Sequence, residues 1–318
     1  TMILEACKSG NIDLVNWLSE HGSQFDERNI FGDTCLLFAA FKGHMELVQW
    51  LLNHGCSISE RNFSENTCLI YATVSGNLEL VKWLLNNGST IYERNSDGDS
   101  CLLFAIHKGY IDIVKFLLDN GGNVLDKNDN GATTILYAVN GGHLDMIKLL
   151  LSYGSSLKEK DNNGTSCLLY AASSGNLEIV KWLLQNGCLI TEKNNMGDTC
   201  VIYAASRGHL ELTKWLLQNG SSTNEINTDG NTCTLMAAKN GHLEIIQWLL
   251  KNGGSALDRN NNQDTCLLLA ASNNHPKLVQ WLLQHKRYGI SIDERNRNGD
   301  TCLLLTSREG NLELLQWL

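Results

Sequence analysis

Histidine and cysteine are the residues here that could ligate a metal or act as nucleophiles, and both recur on one spacing. His44, His143, His209, His242 and His275 fall on a grid of 33 residues, where other copies carry Asn77, Tyr110 or Asn176. A ligand or base is fixed by its own surroundings, so a residue exchanged for Asn or Tyr at equivalent positions reads as the start of a repeated helix. Cysteine follows threonine or serine just as regularly, from Thr34-Cys35 to Thr301-Cys302. A nucleophile needs one environment with its own base, not eight copies. The chain contains no C-x-x-C and no H-E-x-x-H, so it offers no zinc signature. Its glycines belong to the repeat and form no phosphate loop behind a strand. No catalytic residue, cofactor or metal is expected.

Charge and hydropathy exclude further classes. The chain has 318 residues, a net charge of -9 and no basic cluster, which argues against nucleic acid or an anionic membrane as a partner. No run of about eighteen apolar residues crosses a bilayer, and no leader is expected. The eleven cysteines could be a disulfide framework. Cys35, Cys68, Cys101, Cys167, Cys200, Cys233 and Cys266 fall on the same grid, however, which places them on successive stacked units. Packed helices lie roughly 8–10 Å apart, beyond the roughly 7 Å Cα separation that a disulfide spans. Free thiols and a reducing, cytoplasmic setting follow as the expectation.

The period organises the whole chain. Trp17, Trp50, Trp83, Trp182, Trp215, Trp248 and Trp281 mark it, with Phe116 and Leu149 filling two places. Three extra residues near His285-Lys286-Arg287 delay the last copy. Ten copies of 33 residues fill 1–318 as one domain, the first and last incomplete. In one copy, Thr34 caps a helix from Cys35 to Lys42, and Gly43 ends it in the left-handed region. His44 opens a second helix whose Met45, Val48, Leu51 and Leu52 follow helical spacing. Gly55 stops that helix, and an extended finger with a turn at its tip leads onward. Such a unit cannot bury its own apolar face, so the copies must stack.

The stretches TCLLFAAFKGH from Thr34, SCLLYAASSGN from Ser166, TCVIYAASRGH from Thr199 and TCTLMAAKNGH from Thr232 resemble the ankyrin repeat, with its TPLHxAA signature and 33-residue length. The resemblance covers the whole chain and implies an all-α repeat solenoid, an ankyrin stack of helix-turn-helix units with finger loops. It departs in two systematic ways. Cysteine stands for the family's proline, and Leu or Ile (Leu37, Ile70, Leu103) for its histidine. Apolar burial is expected to replace the network that histidine builds between repeats. The resemblance also implies the family's usual work, binding protein or peptide partners through the concave inner-helix face and the finger tips.

Specificity must lie in what the period leaves free. The inner-helix position before the paired alanines carries six consecutive aromatics, Phe38, Tyr71, Phe104, Tyr137, Tyr170 and Tyr203. In the family it tends to face the groove, so these rings form either a contact stripe or mutual packing between copies. The inner-helix ends (Phe41-Lys42, Val74, His107-Lys108) and the finger tips (Ile30-Phe31, Phe63) are apolar early in the chain and polar later. Ile30, Phe31, Phe41, Phe63 and Val74 around copies two and three make the preferred docking corner. Lys42, Lys108, Arg207 and Lys239 add positive charge, which fits a partner combining apolar anchors with Asp or Glu. The recurring pairs Glu27-Arg28, Glu60-Arg61 and Glu93-Arg94 read as a solvated ladder across the fingers. The rival readings are an elastic spacer and a targeting domain of a larger enzyme or membrane protein.

Overall fold

A computed structural model describes all 318 residues. Twenty α-helices follow one another in ten pairs, joined by fingers that hold no strand longer than an isolated bridge. No helix is long and apolar enough to cross a membrane. The chain divides into two compact units, Thr1–Asn162 and Asn163–Leu318. In the first unit the leading helices of the pairs are α1 (Met2–Ser9), α3 (Cys35–Phe41), α5 (Cys68–Ser75), α7 (Cys101–Lys108) and α9 (Thr134–Gly141). Their partners are α2 (Ile12–Glu20), α4 (Met45–Asn53), α6 (Leu78–Asn86), α8 (Ile111–Asp119) and α10 (Leu144–Ser152). The second unit repeats the plan with leading helices α11 (Cys167–Ser174), α13 (Cys200–Ser206), α15 (Cys233–Lys239), α17 (Cys266–Ser272) and α19 (Cys302–Arg308).

Local signals set the helix limits. The Thr34 hydroxyl accepts the Leu37 amide, the Thr67 hydroxyl accepts that of Ile70, and the same bond recurs at Ser100 and Thr265. Helix α3 ends at Phe41, one residue before the expected limit, and Gly43 follows at φ 74°. A side chain there would strain a left-handed backbone. Within each unit, successive leading helices pack against one another. Their Cys, Leu and Ala positions (Cys35, Leu36, Leu37, Ala39, Ala40) are fully buried. The residues standing for the family's histidine, such as Ile70, Leu103 and Leu169, are buried as well, except Leu304 in the last copy, so apolar contact stands where that polar network would be. All eleven thiols are free. Burial pushes the Cys101 thiol up to about 12 and the half-buried Cys188 to about 11, which makes both poor nucleophiles near neutral pH.

Polar joints then tie each copy to its neighbour. His44 does not cap its own helix, because its Nε2 lies 2.9 Å from the Lys8 carbonyl of the preceding copy. A carbonyl only accepts, so Nε2 carries the proton there. His143 reaches the carbonyl of His107, and His209 that of Ser173, in the same way. Asn77 does both jobs: its oxygen accepts the Leu80 amide and its Nδ2 donates to the Gly43 carbonyl.

The finger charges form no solvated ladder. The Glu60 carboxylate accepts the Ser57 amide at 3.0 Å and the Thr34 hydroxyl at the start of α3. Glu192 repeats this with Leu189 and Ser166. The arginines reach backbone carbonyls: Arg28 donates to Gly32 and to Arg61 in the next copy, and Arg61 to Arg94 in the copy after. Among these pairs Arg94–Asp126 alone makes an ion pair from finger to finger. Finger carbonyls without sheet partners need donors, and a helix N-terminus attracts a carboxylate. Those two demands outweigh exposed charge pairing, which contributes at most about 1 kcal/mol.

Burial predicts a position-dependent cost for one substitution. Leu103→Ala, at a fully buried site, is expected to destabilise the fold by about 3 kcal/mol. Leu304→Ala, at the equivalent but 49% exposed site, is expected to cost under about 1 kcal/mol. Urea titration followed by circular dichroism measures both, and equal losses would contradict stacking as the source of stability.

Candidate protein-binding surface

The tip of most fingers is built by an asparagine, with Asp161 standing at that place in one of them. The Asn29 side-chain oxygen accepts the amides of Phe31 and Asp33, and Asn62 does the same for Ser64 and Asn66. Tip backbones then join copy to copy: the Phe63 amide donates to the Phe31 carbonyl at 3.0 Å. Gly32, at φ 81°, permits this approach, because a Cβ there would lie 2.6 Å from the Phe63 ring. The turn therefore rests on Asn29 or its equivalent and on one left-handed residue, Gly32 here and Glu65 at φ 58° in the next copy, and places no demand on Ile30, Phe31 or Phe63. Those three side chains are nevertheless 85%, 63% and 71% exposed.

Phe31 and Phe41 meet in one pocket of about 270 Å³ with Phe38 and Tyr71, walled also by Lys8, Asn29 and Asp33. The Phe41 and Tyr71 rings meet edge to face with centroids 5.4 Å apart. Lys8 Nζ stands 5.0 Å from the Phe38 centroid, and Lys42 Nζ 5.3 Å from that of Phe41. Ile30, Phe63 and Val74 do not line this pocket. Val74 is half-buried, and its carbonyl accepts the Tyr110 hydroxyl. The docking corner is thus only partly assembled: Phe31 and Phe41 share a cavity, Phe63 crosses the neighbouring turn, and Val74 stands apart.

The aromatic row serves structure at one end and is open at the other. The Tyr71 hydroxyl donates to Asp33 Oδ1 at 2.8 Å and accepts from Asn62 Nδ2 at 2.8 Å. Burial first and the Asp33 carboxylate second hold this phenol well above its ordinary range, so it stays a donor at every physiological pH. Tyr137 repeats the arrangement with Asp99 and Asn128, and the Tyr203 hydroxyl accepts from Asn194. Phe104, Tyr137, Tyr170 and Tyr203 are all half-buried, the last two in the second unit. The rings meet residues at the ends of the preceding leading helices, as Tyr137 meets His107 at 6.1 Å. Burial lowers the His107 pKa, and the exposed Lys108 beside it lowers it further.

Sequence reasoning missed Lys8, Asn29 and Asp33 as pocket walls. Asp33 had a signal, because Asp also stands at its equivalents Asp99, Asp198 and Asp264. A second apolar feature was also missed. Tyr92 is 77% exposed at a finger base beside a smaller cavity of about 190 Å³, at a place where Leu125 and Leu257 are exposed as well and other copies hold Asp26, Ser59 and Lys158.

The Tyr71 contacts predict that Tyr71→Phe lowers stability by about 1–2 kcal/mol, because Asp33 and Asn62 both lose a partner while buried. Thermal unfolding of the two proteins checks this. An unchanged midpoint would mean that the hydroxyl network carries no weight.

Nowhere do three His, Cys, Asp or Glu side chains converge as a metal cage would require. A family model described as ankyrin repeats in three copies matches residues 3–95, 102–194, 168–261, 201–296 and 236–318. A search of curated proteins finds none that matches the chain. Ankyrin repeats are generally protein–protein interaction modules and typically not enzymes. The matches span nearly all of the sequence and agree with the ten helix pairs and their capped 33-residue units, so this chain belongs to the ankyrin-repeat family.

Proposed function

We propose that the array is a binding module for a protein or peptide segment, docked where the second and third copies present their finger tips and leading helices. The observation that carries this reading is the exposure of Ile30, Phe31 and Phe63 at turns whose geometry does not need them. Other copies hold Asn162, Asn163 and Ser96 at those positions. Three large apolar side chains at adjacent tips withdraw solvent-facing area when a partner covers them. Phe104, Tyr137, Lys108 and, in the second unit, Tyr170 and Tyr203 offer further contacts of the same kind. Eleven free thiols fit a reducing compartment such as the cytoplasm. The spacer reading gives these side chains no role.

The test is selection of a displayed random-peptide library on the array, beside a variant carrying Ile30→Asn, Phe31→Asn and Phe63→Ser. These substitutions install residues that other copies already tolerate at the same turn. Enriched peptides are expected to bind the parent at least about tenfold more tightly than the variant. An array that enriches nothing, or a variant that binds as well as the parent, would overturn the reading.

A further inference from the structure

We infer that the cavity between Phe31, Phe38, Phe41 and Tyr71 takes a single large apolar side chain of an acidic peptide, with Lys8 and Lys42 receiving the carboxylates beside it. This rests on the reading that the array binds a peptide at its second and third copies, and it names which peptide.

The size and walls of the cavity set the anchor. About 270 Å³ holds one aromatic or branched aliphatic side chain, and the walls are mostly ring faces and edges. Edge-to-face packing of Phe41 on Tyr71 holds two of those rings in place, and Tyr71 is tethered through its hydroxyl. The anchor would therefore enter a largely preformed site.

The charges at the cavity set the flanks. The Asp33 carboxylate, itself buried, is already engaged by the Tyr71 hydroxyl, Asn62 Nδ2 and Asn29 Nδ2. Lys8 and Lys42 sit over the rings of Phe38 and Phe41, which places two ammonium groups beside the apolar cavity. Lys42 is exposed and rests against a ring, not a carboxylate, while Lys8 shares its charge with the exposed Glu5 at 2.7 Å. In a chain of net charge -9, Lys42 is a cation with no ion-pair partner at the rim of an apolar hole, with the paired Lys8 across from it. An acidic segment with one large apolar residue matches both features, and a basic segment matches neither.

The arrangement has a positional contrast within the same chain. The place of Phe41 is taken by Ser173, Ser206 and Ser272 in the second unit, and that of Phe31 by Asn163 and Asn262. The packing of the repeat is thus compatible with serine and asparagine at these places, so Phe31 and Phe41 are the walls peculiar to the first copies, while the place of Phe38 stays aromatic as far as Tyr203.

The test uses the strongest peptide from the displayed library, fluorescently labelled and titrated by anisotropy at low and high salt. Three proteins are compared: the parent, Lys42→Glu with Lys8→Gln, and Phe41→Ser. Circular dichroism confirms their folding, and the lysines and Phe41 are exposed enough to change without disturbing the core. The selected peptides are expected to carry Asp or Glu beside an aromatic or aliphatic residue. Affinity is expected to fall about tenfold in the charge variant and at least as far in Phe41→Ser, with the charge effect shrinking at high salt. Selected peptides that are neutral or basic, or that bind all three proteins alike, would overturn the inference. If such peptides still lose the finger-tip variant, binding at the second and third copies stands and only the acidic-anchor assignment falls. If nothing is enriched, both fall.

Discussion

A pair of short helices cannot cover its own apolar surface, and this constraint governs the rest of the molecule. Helices of seven to nine residues, such as α3 and α4, are too short to be stable alone in water. They persist because Cys35, Leu36, Leu37, Ala39 and Ala40 lose all contact with solvent when the next copy stacks. Stacking at constant spacing then demands the same residue types every 33 positions, which is why tryptophan, cysteine and glycine recur so regularly. The polar joints obey the same rule. A His44 or Asn77 side chain reaches a carbonyl one copy back, and Arg28 reaches one copy forward, so the bonds that finish one unit belong partly to the next.

This dependence explains what could be read in the sequence. The helices, their caps, their left-handed glycine ends and the disulfide-free cysteine row were legible because each depends on local spacing. Thr34, Gly43 and Leu37 appear where the repeat places them and do what their types imply. The work of the finger charges was not legible. Alternation along an extended segment sends Glu60 and Arg61 to opposite sides, and from that they read as solvated. Only the folded unit brings the Thr34 hydroxyl, 26 residues away in sequence, against the Glu60 carboxylate. His44 was legible as a helix-start residue but not as a donor to Lys8 of the preceding copy, a contact across 36 positions.

The candidate site was half legible for a related reason. Subtracting the period isolates residues that the fold does not need, and that operation found Ile30, Phe31, Phe41 and Phe63. It did not find Asp33, whose series continues at Asp99, Asp198 and Asp264, and it passed over Lys8, which stands at the variable place that Phe41, Val74 and His107 fill in later copies. Subtraction also left the aromatic row undecided between packing and contact. The hydroxyls of Tyr71 and Tyr137 are held by carboxylates of the preceding finger, so one end of each ring is structural. The ring of Tyr71 meanwhile forms part of an open cavity wall. The two roles coexist because a phenol presents a polar tip and an apolar body to different neighbours.

The central claim is that the apolar tips and leading helices of the second and third copies are where a partner docks. Hydrogen–deuterium exchange of the array, alone and saturated with a selected peptide, tests it most directly. Slowed exchange confined to residues 29–42 and 62–75 is the expected result, with the second helices of the pairs and residues 163–318 unchanged. Protection centred on those second helices or on the second unit would place the partner elsewhere and contradict the account.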